Sequence, residues 1–188
     1  SRLRRLWQGD EEVTGLPLSE VDKINLASEL AIRGVPDSVE ILTRQEELIE
    51  NPDRLARFLF LRDSLAQQSE VRSRFFDSLR FEENRSREAW VGTGLDNLHH
   101  PLRAESAEQY ILPALELIEE IQATGDIFFP ARWLSATLGS HTSVMAAETV
   151  MGFLNQSESL SPRLRLKVLQ SADGVFRSAK VLHGWSND

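Results

Sequence analysis

Apolar residues recur at intervals of three and four along almost the whole chain, the step that gathers them on one face of an α-helix. From Ser19 the set Val21, Ile24, Ala27, Leu30 and Ala31 keeps this step, with Ser19 placed as cap and Asp22 completing a loose capping box. Gly34-Val35-Pro36 ends that helix. A second is predicted over 37–50, with Val39, Leu42 and Ile49 inward and Ile41 and Leu48 beside them. Asn51-Pro52-Asp53 is a strong restart: Asn caps, Pro takes the first helical position, and Asp suits the positive end of the helix dipole. Leu55, Phe58, Leu59, Leu65 and Ala66 then mark the buried face.

Ser69 opens a helix that buries Val71, Phe75, Phe76 and Leu79, and Asn84 opens another with Val91, Leu95 and Leu98 in step. Gly92 and Gly94 lie inside this fifth helix, each costing about 1 kcal/mol relative to Ala, so close packing against a neighbour is expected to compensate. His99-His100-Pro101 stops it. Ser106 to Ala123 is the longest pattern, carrying Tyr110, Ile111, Ala114, Leu117, Ile118 and Ile121, with a kink expected at Pro113. Thr124-Gly125-Asp126 terminates it. A short helix follows Pro130, another covers about 142–155, and the last runs from Pro162, after Ser161, to about Leu182. The pattern thus predicts an all-α chain of about nine helices, Ile127-Phe128-Phe129 being the only strand-like text.

Nine helices in 188 residues amount to a pair about every 40 residues, the length of two-helix solenoid repeats. Short loops favour antiparallel neighbours stacked in a curved array. No residue-level repeat is visible, so any solenoid is degenerate. No linker rich in Gly, Pro or Ser divides the chain. The expected organisation is one domain over 1–188: a linking segment 1–18, a helical array 19–182 and a tail 183–188. Phe58, Phe75, Trp90, Leu117, Trp133 and Phe176 are expected in its core.

Composition narrows the chemistry. With no cysteine there is no disulfide scaffold, no Cys-ligated metal and no thiol nucleophile, although the compartment stays open. A net charge of -8 argues against a nucleic-acid binder, whose affinity depends on a basic surface. No apolar run approaches the roughly 20 residues of a membrane span. The Arg2/Arg4/Arg5, Arg72/Arg74 and Arg163/Arg165/Lys167 clusters alternate with apolar residues, so they are expected to face solvent and pair with acidic neighbours.

The four histidines form no spaced ligand set. His99 and His100 are adjacent and diverge on a helix, so they are expected to close it by serving its free carbonyls. Neither H-E-x-x-H nor G-x-S-x-G occurs, and Gly92-Thr93-Gly94 lacks the strand and the lysine of a phosphate loop. Glu11-Glu12, Glu46-Glu47, Glu82-Glu83 and Glu119-Glu120 read as solvated helix faces. The most unusual text is the passage Leu115 to Leu134. Its apolar run Ile127-Phe128-Phe129 must either plug the core between two helices or belong to a pocket or interface.

Several stretches, in order, resemble the C-terminal region of bacterial zinc aminopeptidases of the aminopeptidase N family. They are Asn51-Pro52-Asp53-Arg54 with Arg57-Phe58; Val71-Arg72 with Phe75-Phe76 and Ser78-Leu79; Asn84-Arg85; and Ala89-Trp90-Val91. Then come Leu98-His99-His100-Pro101-Leu102-Arg103, the Leu115–Leu134 passage, and Pro162-Arg163-Leu164-Arg165 with Lys167, Leu169-Gln170, Ala172-Asp173 and Phe176-Arg177. The resemblance spans about Ser19 to Ala179. It implies a HEAT/armadillo-like α-α superhelix at the C-terminus of a longer polypeptide, packed on a catalytic domain and enclosing its peptide cavity.

Zinc, the activating glutamate and the amine-binding strand would belong to that catalytic domain. Their motifs cannot be placed here, and Tyr110, the only tyrosine, has no zinc motif upstream, so no catalytic or metal residue carries over. The expected partners are the catalytic domain and the peptide substrate. The expected function is a non-catalytic domain limiting substrate access. The alternative is a stand-alone helical-repeat scaffold for a protein partner. Loop position and charge make Arg103, Asp126, Phe128 and Arg132 the candidate cavity or interface contacts.

Overall fold

The computed structural model describes residues 1–186, so the last two residues of the expected tail lie outside the described residues. The fold is all-α: twelve α-helices and four 3-10 turns, with no strand among the described residues. Three of these helices were not expected. One is α1 (Arg2–Gln8), inside the segment read as a link. The other two arise because the Ser106–Ala123 pattern is not one kinked helix. It divides into α7 (Ala104–Ala107), a 3-10 turn (Glu108–Tyr110), α8 (Ile111–Glu116) and α9 (Ile118–Thr124). Pro113 does not kink α8; it sits in the first turn, where its missing N–H has no intrahelical partner to lose.

The chain forms two compact units, Ser1–Asp77 and Ser78–Asp188, and the division falls within α5 (Ser69–Ser78). The first unit contains α1, α2 (Glu20–Ile32), α3 (Ser38–Glu47) and α4 (Pro52–Leu61). The capping box at Ser19 and Asp22 forms in both directions, and Asn51 accepts the N–H groups of Asp53 and Arg54. Ala31, Ile32, Leu42, Ile49, Phe58 and Leu65 make one apolar cluster; Trp7, Ala27, Leu30 and Ile41 make another. The expected face of α3 is rotated. Ile41 and Leu42 are buried, while Val39 and Leu48 are exposed, because Gln45 and Ser38 occupy the inner stripe. Gln45 is admitted there by its hydrogen bond from the Trp7 indole N–H at 2.8 Å.

The second unit contains α6 (Glu88–Leu98), α7, α8, α9, α10 (Phe129–Leu138), α11 (Val144–Gln156) and α12 (Pro162–His183). α10 packs on both α6 and α12, and α11 packs on α8 and α12. The core is built from Val91, Leu95, Leu98, Ile111, Leu115, Ile118, Ile121, Trp133, Leu134, Val150, Val168 and Val175. Asn84 does not open α6; it lies in a 3-10 turn (Glu82–Arg85) and its amide donates to the Ser78 carbonyl. Of the six expected core residues, Phe58, Phe75 and Trp133 are buried, whereas Trp90, Leu117 and Phe176 are only partly so. Trp90 instead lies under the Arg87 guanidinium, and Phe176 stacks on Trp185. No helix among the described residues is long and apolar enough to cross a membrane.

Candidate functional site

The α9–α10 corner, in the Leu115–Leu134 passage, carries the most exposed aromatic of the apolar run. Gly125 ends α9 in an extended conformation, packed so tightly that an added Cβ would meet Phe129 Cδ1 at 2.5 Å and the Ile121 carbonyl at 2.9 Å. The Asp126 N–H donates to Glu88 Oε1, in the first turn of α6, at 2.8 Å. The Asp126 carboxylate turns the other way and accepts the N–H groups of Phe128 at 2.6 Å and Phe129 at 3.1 Å. It thereby serves the open N-terminus of α10, where Pro130 also fits. The loop is pinned at both sides.

The three apolar residues separate. Phe129 is buried, edge-on to Trp133 with ring centroids 6.0 Å apart, and it alone plugs the core. Ile127 and Phe128 are 62% and 75% exposed. Of the two readings left open by the sequence, the plug therefore applies to one residue and the outward surface to two.

Arg132 follows on α10 and reaches across α6. Its guanidinium pairs with both carboxylate oxygens of Asp96. Its side chain lies over Gly92, where an added Cβ would stand 2.6 Å from Nε. This is the close packing expected for that glycine. Asp126, Phe128 and Arg132 thus share one corner. Arg103 is instead buried in the 3-10 turn Pro101–Arg103 after α6, and presents little surface to a ligand.

A hollow of about 470 Å³ lies at the foot of the corner, bordered by Glu82, Glu83 and Glu88 on one side and Thr124, Gly125 and Phe129 on the other. Arg85 forms part of its wall. The Arg85 guanidinium is buried, donates to the Leu79 carbonyl at 2.8 Å and pairs with Glu120. With that cation engaged, the remaining side chains give the hollow an acidic border beside an apolar tip.

The first basic cluster pairs as expected, Arg2 and Arg5 with Glu11 and Arg4 with Asp37, whereas in the third Arg165 donates to the Leu154 carbonyl and Lys167 to the Gln122 side-chain oxygen instead of to an acid. Arg72 also departs from the expectation. It is buried and its guanidinium donates to the carbonyls of Ala66 at 2.9 Å and Gln67 at 2.7 Å, holding the chain between α4 and α5.

The histidines hold a feature that the sequence reading missed. His100 does act locally, its Nδ1 accepting the Leu102 N–H at 3.2 Å. His99 does not face the helix end; it is fully buried, and its Nδ1 lies 2.8 Å from Nε2 of His141. Burial, then the neighbouring His141, pushes the His99 pKa down to about 3. Burial also lowers that of His141, while the charge of Glu108 acts in the opposite direction. A signal existed: His99 continues the Val91, Leu95 step, and His141 follows Leu134 and Leu138.

No protein-family model, curated protein or solved structure matches this chain.

Proposed function

We propose that the chain is a non-catalytic C-terminal domain of a zinc-dependent aminopeptidase, enclosing the peptide cavity of its parent and limiting which substrates enter. The reading rests on the ordered resemblance to the aminopeptidase N family, and one structural observation supports it most. The longest resembling passage folds into a pinned corner that displays Ile127 and Phe128 to solvent. Exposed large apolar side chains on a fixed loop suit a surface that another domain or a bound peptide covers. The helices would stack as a HEAT/armadillo-like superhelix, a shape that small-angle X-ray scattering of the chain tests.

The family's zinc would be held by the catalytic domain of the parent. The histidine pair here does not fit that ion. Its nitrogens are 2.8 Å apart, whereas two ligands at about 2.1 Å in a tetrahedral site stand roughly 3.4 Å apart. The contribution of this chain is steric selection, with Asp126, Phe128 and Arg132 at the contact surface.

The test is to read the open reading frame upstream of Ser1 and weigh the native protein by intact mass. An in-frame H-E-x-x-H a few hundred residues upstream is the expected result. In that parent, Phe128→Ser should alter the preference for peptide length while leaving cleavage of a small aminoacyl substrate unchanged. A start codon close to Ser1 with a native mass near 21.3 kDa would overturn the reading. The stand-alone helical scaffold, with the same corner as its binding surface, would replace it.

A further inference from the structure

Four elements of the second unit meet around the buried histidine pair. His99 ends α6, its own N–H donating to the Leu95 carbonyl at 2.9 Å. His141 lies in the turn between α10 and α11. Glu108, on the 3-10 turn Glu108–Tyr110, acts on His141 through its charge and accepts a hydrogen bond from the Ser143 hydroxyl. Ser143 in turn caps α11, accepting the Ala146 N–H at 3.0 Å. The ring of Tyr110 stands edge-on to His99, with centroids 6.2 Å apart. Thr137, one helical turn before His141 on α10, is buried with its hydroxyl unpartnered.

A contact of 2.8 Å between two imidazole nitrogens requires one proton between them. Two neutral rings supply it. If His99 Nδ1–H donates to His141 Nε2, the remaining proton of His141 sits on Nδ1 and His99 Nε2 is bare. These two outer nitrogens are buried without a protein partner. A further proton would therefore sit on a nitrogen with no hydrogen-bond acceptor beside it in the closed arrangement. Taken up at His99 Nε2, it leaves His99 cationic unless the shared proton crosses to His141 Nε2, which moves the positive charge to the ring that the charge of Glu108 favours. A second proton would make every nitrogen a donor, and the contact between the rings would be lost.

We propose that His99 and His141 form an acid-operated clasp, whose shared proton ties the end of α6 to the α10–α11 turn at neutral pH and whose further protonation releases that turn. The charge on Glu108 selects His141 as the ring that becomes cationic first. Because Glu108 also holds Ser143, release of the turn reaches the cap of α11. The opened turn exposes both rings to water, where their ordinary value of 6.5 applies, so opening is linked to proton uptake.

The test uses the full chain, with histidines labelled for NMR and backbone exchange followed by mass spectrometry. In the folded chain His99 should stay neutral well below pH 6.5, and His141 should titrate below its ordinary value. Exchange at residues 138–144, corrected for its intrinsic pH dependence, should rise as the pH falls below 6.5, by about tenfold per pH unit for each ring that is still neutral while the turn is closed. His141→Gln, which keeps a hydrogen-bonding side chain but cannot charge, should lessen this rise to the part that His99 contributes, and His100→Gln should leave it unchanged. A folded chain in which either buried ring titrates near 6.5, or in which exchange there ignores pH, overturns the proposal. An undiminished rise in folded His141→Gln also overturns it. The wild-type NMR and exchange measurements decide the matter if that variant does not fold.

Discussion

The indole Nε1 of Trp133 donates a hydrogen bond to the backbone carbonyl of Ala114 at 3.0 Å, tying the middle of α10 to α8. Ala114 lies three residues before the break at Leu117, among carbonyls that the end of a helix leaves open. The bond thus joins packing to the division of the long sequence pattern. Trp133 is fully buried. Replacing it by Ala should cost about 3–5 kcal/mol in urea denaturation. Trp133→Phe keeps most of the ring but strands the carbonyl, and should cost about 1–3 kcal/mol. A loss below about 1 kcal/mol for the Ala variant would contradict the buried placement.

Two glycines should respond in opposite senses to the same substitution. At Gly125 a Cβ meets the buried Phe129 ring and the Ile121 backbone carbonyl, neither of which can yield cheaply. Gly125→Ala should destabilise by about 1–3 kcal/mol, the usual penalty of overpacking. Gly174 lies inside α12, with nothing within 4 Å of an added Cβ. Gly174→Ala should stabilise by about 0.5–1 kcal/mol through backbone entropy alone. Thermal denaturation of the two variants beside the parent chain checks both signs.

Residues 1–18 are more than a link, because Trp7 is buried between α1, α2 and α3 and bonded to buried Gln45. The Arg44 guanidinium lies 5.7 Å from its ring centroid. Trp7→Ala should therefore destabilise the first unit by about 3–5 kcal/mol. The measurement is the loss of amide protection in α2 and α3, followed by hydrogen exchange. Unchanged protection would return this segment to the status of a tether.

Helix positions were legible wherever the cap and the apolar step agreed, as at Ser19 with Asp22 and at Asn51-Pro52-Asp53. α1 was missed although Leu3, Leu6 and Trp7 keep the three-or-four step, because a set this short, among three arginines, repeats too few times to stand out as a helix. The Ser106–Ala123 division was missed because apolar spacing continues across the break at Leu117. That Asp126, Phe128 and Arg132 lie at one corner was legible from loop position, since caps and prolines locate a corner without needing distant contacts. Arg103 was misplaced because charge suggests exposure, whereas this side chain is buried. The histidine pair joins residues 42 apart, a contact that no local rule reports.

Acid sensitivity of the whole chain follows from the same pair, with a definite sign. Both folded-state values are depressed below 6.5, that of His99 to about 3, so the unfolded chain binds more protons as the pH falls. The stabilisation from keeping the rings neutral is fully present above pH 6.5 and is lost as the pH drops toward the folded values. For His99 each pH unit inside that window costs about 1.4 kcal/mol, so passing from pH 7 to pH 5 should remove roughly 2 kcal/mol. The carboxyls of Glu11, Glu20 and Asp22 are also held low by their hydrogen-bond partners. Their contributions are present above the unfolded values of 4.5, 4.5 and 3.8 and fade only around and below these, so the histidine window stands apart. Urea midpoints at pH 7.5, 6.5 and 5.5 should fall in the wild-type chain and fall less in His99→Gln. Equal slopes in the two chains would show that this buried imidazole is not what acid attacks.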